Sequence, residues 1–260
     1  MPFYKLIDAH CHVFSNEFDD DRLNVLQKAY KTGVIGIIES ALDLKTAFKV
    51  LNELKKPSTN LKIYLAVGLN PCCVTGYSFN EAYSFIEANS SDITAIGEVG
   101  LDFYLMQDSI GREKQISYFK RFISLSKEMN LPIIVHSRSA GKYAIQILVE
   151  EKAEKVLLHA FDGSFKSAKS GVENGFFFSI PPSISYSVQK QKLVEKLPLE
   201  QILLETDAPS LSPYKNIRNT PENLIISLRE VAKIKKIDLT EVAETTFKNT
   251  VKLFNIRNLS

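Results

Sequence analysis

Cysteine, histidine and long apolar runs are all scarce in this chain. Three cysteines occur, Cys11, Cys72 and Cys73, an odd count with two of them adjacent. No C-x-x-C pair exists, so neither a disulfide framework nor a zinc ribbon is expected. A reducing compartment, cytoplasmic or nuclear, suits that cysteine usage. No stretch approaches the ~18 apolar residues of a membrane-spanning helix, so no membrane partner is expected. Lys5, Asp8 and His10 interrupt the N-terminus before an apolar core can form there, so no signal peptide is expected. Excess charge is small as well: 32 basic against 30 acidic residues leave +2. A dedicated nucleic-acid-binding domain is usually more basic, whereas a nuclease needs only a local patch. No low-complexity tract, linker or fixed-period repeat divides the chain, and no obligate protein partner is indicated.

What the chain does have is regular alternation. Short apolar or β-branched runs are expected as strands at Tyr4–Ile7, Val34–Glu39, Lys62–Val67, Ile93–Glu98, Pro132–His136, Val156–His159, Phe176–Ser179 and Gln201–Glu205. Helical patterns lie between them, as at Gly111–Met129, where Ile116, Phe119, Phe122, Ile123 and Ser126 recur at spacings of three and four. Strands alternating with helices imply a parallel sheet. Eight such units in 260 residues, 45% of them hydrophobic, fit one α/β domain, 1–260, closed as a (β/α)8 TIM barrel. An open doubly wound sheet is the alternative.

In a TIM barrel the chemistry sits at the C-terminal ends of the strands. All four histidines fall there: His10 and His12 after strand 1, His136 ending strand 5 and His159 ending strand 6. Glu98 ends strand 4, and Glu205 and Asp207 end strand 8. Taken singly, each has an ordinary explanation: a hydrogen-bonded histidine, an ion-paired glutamate, an aspartate that caps a turn. Together, in a chain with so few histidines, they point to one site. Residues two apart on a strand face the same side, so His10 and His12 can converge while Cys11 packs away. Imidazoles and carboxylates suit Zn²⁺, Mn²⁺ or Co²⁺. Six ligands exceed one tetrahedral ion, and two divalent ions sharing a carboxylate account for the number.

The motifs D-A-H-C-H, G-E-V-G-L-D-F-Y, P-I-I-V-H-S-R, L-L-H-A-F-D-G, L-L-E-T-D-A-P and R-N-T-P-E-N-L resemble, in order and spacing, those of the TatD-type metal-dependent deoxyribonucleases of the amidohydrolase superfamily. The stretches H-A-F-D-G-S and F-F-F-S-I-P-P-S-I look most like the eukaryotic type-three subgroup. The resemblance implies a barrel holding two divalent metals (Zn, Mn, Co or Mg) and DNA as substrate, trimmed from a 3′ end. It further implies that His10, His12 and Asp207 hold one metal, His136 and His159 the other, and Glu98 both. A water activated by the metals would attack phosphorus, with Asp207 taking or relaying the proton. Glu205 would position water or substrate, or orient a neighbouring ligand. Arg138 is expected to hold a phosphate, and Arg218 to do the same or to brace the last loop. Asp102 and Tyr104 are placed to shape the pocket, or Tyr104 simply to pack. Where the family carries G-x-H-P, this chain has G-L-N-P; Asn70 can meet substrate through hydrogen bonds but cannot carry charge or act as a base. Asp162, in H-A-F-D-G, repels an anion, binds an ion or caps a turn. Competing expectations are a hydrolase of a small phosphoester, lactone or amide, and a binding protein without turnover.

Overall fold

The computed structural model describes residues 4–41, 43–73 and 76–257. The ends of the expected 1–260 domain, residues 1–3 and 258–260, lie outside the described residues. Eight strands are present: β1 (Leu6–Cys11), β2 (Val34–Ala41), β3 (Lys62–Val67), β4 (Ile93–Gly100), β5 (Ile133–His136), β6 (Val156–Leu158), β7 (Phe177–Ile180) and β8 (Ile202–Leu204). Each pairs parallel with the next, in the order β1 to β8. A doubly wound sheet would reverse its order at a switch point; this one runs round without reversal, as a barrel does.

The helices are α1 (Arg22–Lys31), α2 (Leu44–Lys55), α3 (Gly76–Ala88), α4 (Ser109–Glu128), α5 (Gly141–Glu150), α6 (Phe165–Glu173), α7 (Val188–Lys196), α8 (Leu224–Lys235) and α9 (Leu239–Phe254). Several begin at capping side chains. Asp43, Asp108, Ser164, Ser187 and Asp238 each accept a backbone N–H of the first turn, which satisfies donors the helix cannot. In α4, Phe119, Phe122, Ile123 and Ser126 are buried, the face the spacing anticipates.

The core has two layers. Inside the barrel, Ile7, Ala9, Ile38, Ala66, Ala95, Ile134, Leu157, Phe177 and Leu203 pack together. Leu253, Phe254 and Ile256, from the end of α9 and beyond, join this layer. A larger layer, including Cys11, Ile37, Ile96, Phe119, Val135 and Leu158, fills the space between strands and helices. Each fully buried aliphatic or aromatic side chain contributes about 1.5–3 kcal/mol.

Two irregularities re-aim side chains. The β1–β2 register shifts between Asp8 and Cys11. Ile7 and Ala9 face the barrel interior, yet Cys11 lies in the outer layer. The shift therefore lets His10 and His12 turn inward on a parity that would otherwise point them out. The β4–β5 register shifts between Ile96 and Val99, directly beneath Glu98. Bulges of this kind commonly redirect a residue beside a site.

The β8–β1 junction has no strand ladder among the described residues. It is closed by single bonds: Asp207 N–H to His10 O at 2.9 Å and His12 N–H to Ala208 O at 2.8 Å. Below them, the buried carboxylate of Asp8 accepts the Thr206 N–H at 2.8 Å and the Thr206 hydroxyl.

Candidate active site

The expected ligands meet at the C-terminal mouth of the barrel. His10 Nε2 and His12 Nε2 face each other at 3.1 Å. Each lies 3.4 Å from Asp207 Oδ1 and 3.6 Å from Glu98 Oε2. The other oxygen of Glu98 faces the second pair: Oε1 is 2.6 Å from His136 Nδ1 and 3.2 Å from His159 Nε2. Those two nitrogens are 3.3 Å apart. One carboxylate thus addresses two histidine pairs with different atoms.

Neighbours fix which nitrogen His12 and His136 present. Ser40 O lies 2.7 Å from His12 Nδ1. A carbonyl only accepts, so Nδ1 carries the proton and Nε2 offers a lone pair to the cluster. The Ser40 hydroxyl meets His10 Nδ1 at 3.0 Å. On the other side, Asp102 Oδ2 accepts from His136 Nε2 at 3.0 Å, which leaves His136 Nδ1 as the donor atom. Such partners on the far nitrogen set ring orientation and raise basicity.

These atoms fit divalent ions. Bonds of about 2.1 Å around a tetrahedral ion put neighbouring ligand atoms roughly 3.4 Å apart. That is close to the spacing among His10, His12, Asp207 and Glu98 Oε2. Lone pairs of two neutral imidazoles at 3.1 Å repel unless a proton or a cation lies with them. Three overlapping trios drawn from these six residues, His10–His159–Asp207, His10–His12–Glu98 and Glu98–His136–His159, each bring their ligand atoms within 4.8 Å of one another.

The electrostatics agree. Burial is the largest influence on every member. For His10 it prevails, with His159 adding to it, and the ring is pushed down to about 4. For His12 the carboxylates of Asp207 and Glu98 outweigh burial and lift the ring to about 10. His136 is lifted to about 10 in the same way, against burial, by Asp102 and Glu98. Asp207 and Glu98 are themselves held below the usual carboxylate range by the histidines, despite burial. Both acids are therefore ionised.

Around this cluster lies a cavity of about 600 Å³ lined by His12, Asn70, Glu98, His136, Arg138 and Asp207 among others. Arg138 stands with its guanidinium 3.9 Å over the Tyr104 ring. Asn70 also lines the cavity, and its Oδ1 accepts the Cys72 N–H at 2.9 Å. Two expected residues sit elsewhere. Arg218 donates to Glu17 O, pairs with Asp21 at 2.6 Å and lies 4.4 Å over the Phe18 ring. Its guanidinium ties the last loop to the loop after β1, the bracing alternative and not the phosphate one. Glu205 is fully buried and does not line the cavity. Its oxygens accept the Ala160 N–H at 2.8 Å and the Ser179 hydroxyl at 2.5 Å, with His159 Nδ1 3.8 Å away. It stands behind His159, away from the cavity. Burial, with Asp207 adding to it, raises it to about 7. Asp162 caps a turn: its Oδ2 accepts the Ser139 N–H at 2.8 Å, supporting the backbone just past Arg138.

Sequence reasoning missed Ser40 and Glu39, and assigned Asp102 only a pocket-shaping role. Glu39 accepts the Val13 and Phe14 N–H groups at 2.7 and 3.0 Å, fixing the turn after His12. A charged residue inside the apolar run I-I-E-S was the available signal for it.

The TatD related DNase family matches residues 7–255. A human protein called deoxyribonuclease TATDN3 is 44% identical, over 96% of this chain and 94% of that one. An uncharacterized metal-dependent hydrolase of Methanocaldococcus jannaschii is 35% identical, over 97% and 98%. The crystal structure of the TatD homologue YjjV of Escherichia coli superposes with a TM-score of 0.89 at 28% identity, over 98% of this chain and all of that one. On motif, fold and ligand geometry alike, the chain belongs to the TatD-related DNase family of metal-dependent hydrolases.

Proposed function

We propose that the protein hydrolyses phosphodiester bonds of DNA with two divalent ions, Zn, Mn or Co being the best suited, and trims strands from a 3′ end. The observation that carries the two-ion reading is Glu98, whose two oxygens address two separate histidine pairs. The names of relatives support DNA as substrate, and the 3′ polarity rests on the family resemblance.

His10, His12 and Asp207 would hold one ion, His136 and His159 the other, and Glu98 both. Ions so held supply Lewis-acid activation and neutralise charge developing at phosphorus. The chain's own groups do the rest. Asp207 is ionised and faces the cavity, so its carboxylate is the acceptor for the proton of the attacking water. Arg138, over the Tyr104 ring and lining the cavity, orients a substrate phosphate through its planar fork. Asn70 meets the same substrate by hydrogen bonding. Asp102, Ser40 and Glu205 keep the imidazoles in register and do not touch substrate.

The test is a substrate panel on metal-loaded protein: end-labelled single- and double-stranded DNA beside small phosphoesters and lactones. Loss of nucleotides from the 3′ end, abolished by Asp207→Ala in a folded protein, is the expected result. Turnover of small molecules alone would reject the nuclease reading.

A further inference from the structure

Lys190 stands near the start of α7, is only 7% exposed and lines the same cavity as His159 and Asp207. Its Nζ donates to Ala160 O at 2.8 Å, the one hydrogen-bond partner it has among the described residues. An ammonium carries three donors, so two are left over in a place where an unmatched charge is costly. Burial pulls its pKa down, and Glu205, Asp162 and Asp207 act against that. The Ala160 bond does not account for the charge, because the adjoining Gln189 already ties the same loop by donating to Phe161 O and Gly163 O at 3.4 and 2.5 Å. Among the described residues lining the cavity, Arg138 is the other lysine or arginine. Arg138 stands on the loop after β5 and Lys190 on α7, which follows β7, whereas Glu17 stands in the segment after β1. Asp162 is the acid on their own side, and one of its oxygens is taken by the Ser139 N–H.

We infer that Lys190 is an anion receptor for a second phosphate, one flanking the phosphate that reacts, so that the nucleic-acid backbone runs along the β5–β7 side of the mouth. This rests on the phosphodiesterase reading above. It makes Lys190 a specificity residue: the site would prefer ligands carrying two phosphates over ligands carrying one.

The probes are thymidine 3′,5′-bisphosphate and the two thymidine monophosphates, used as inhibitors of metal-loaded protein against whichever substrate of the panel turns over best. Losing a charge-assisted bond of this kind costs roughly tenfold or more in affinity. Wild type should therefore favour the bisphosphate over the better monophosphate by about tenfold. Lys190→Gln should lose that preference, and Lys190→Arg should keep most of it. Metal content and melting temperature of each variant report whether the Ala160 loop has been disturbed. A preference that survives in Lys190→Gln overturns the assignment. So does equal weakening of mono- and bisphosphate, which would make Lys190 only a brace. The two readings fail separately: a protein that cleaves small phosphoesters but not DNA, while keeping a Lys190-dependent preference, loses the nuclease reading and retains the receptor.

Discussion

His136 can offer Nδ1 to a metal only while something holds its other nitrogen, and Asp102 does so at 3.0 Å. Asp102→Asn keeps the volume but replaces an ionised acceptor with a neutral one. Losing such a partner weakens metal binding about 10- to 100-fold. Metal titration should show this at the His136–His159 half while the His10–His12–Asp207 half retains its ion. Equal weakening of both halves would contradict the assignment of Asp102 to His136. Arg218 gives the opposite pattern. Its contacts are a half-exposed ion pair, a backbone carbonyl and an aromatic face. Arg218→Ala should cost about 1 kcal/mol of stability, read by urea unfolding, and leave KM for DNA unchanged. Legibility at this scale followed residue type. The candidate ligands stood out because titratable groups at strand ends are rare in a chain with four histidines. Ser40 and Lys190 did not stand out. A hydroxyl at a strand end has no distinctive pattern, and S-V-Q-K-Q-K reads as a solvated helix face until its third dimension is known.

Among the elements, β1 and β4 depend on local departures from a regular ladder. The apolar pattern suggested Tyr4–Ile7 for the first strand, but β1 runs Leu6–Cys11. Polar Asp8 and His10 break the pattern although every residue of the strand is buried. Their partners, Thr206 and Ser40, come from other strand ends, and no reading of one segment reveals them. The register shifts beneath His10 and Glu98 were invisible for the same reason, since a bulge is a property of two strands. The close approach of β3 to β4 gives a test. A Cβ on Gly68 would come within 2.6 Å of Glu98 O and 2.7 Å of Val99 Cγ1. Gly68→Ala should therefore displace Glu98, cost about 1–3 kcal/mol through overpacking and reduce the metal bound per chain. Denaturant unfolding paired with elemental analysis would check it. A variant that loses stability but keeps its full metal content would show that Glu98 is not the part displaced.

For the whole molecule, the alternation of strand and helix sufficed to anticipate a barrel, because each unit repeats the same two periods. What it could not reveal was α9 reaching the barrel interior with Leu253 and Phe254, since any amphipathic helix offers an apolar face. Metal should be part of the stability of the whole. An ion at about 100 times its Kd stabilises the native state by about 2.7 kcal/mol, so chelation should lower Tm by roughly 5–10 °C in calorimetry. The effect has a definite pH sign. In the metal-free protein His12 and His136 are lifted to about 10, so both rings carry a second proton at neutral pH. Loading must displace those protons, and affinity falls as pH falls, by roughly tenfold per pH unit for each proton released. Binding isotherms from pH 6 to 8 would show it, and a flat profile would refute it. The β8–β1 seam adds a matter of timing. Asp207 reaches His10 and His12 only across that junction. A chain leaving the ribosome makes both histidines almost at once and then waits nearly 200 residues for the acid that completes their half-site. With the ligands proposed above, that half-site would be complete only once the ring has met its own beginning, which would make uptake of its ion a late event in the life of the polypeptide.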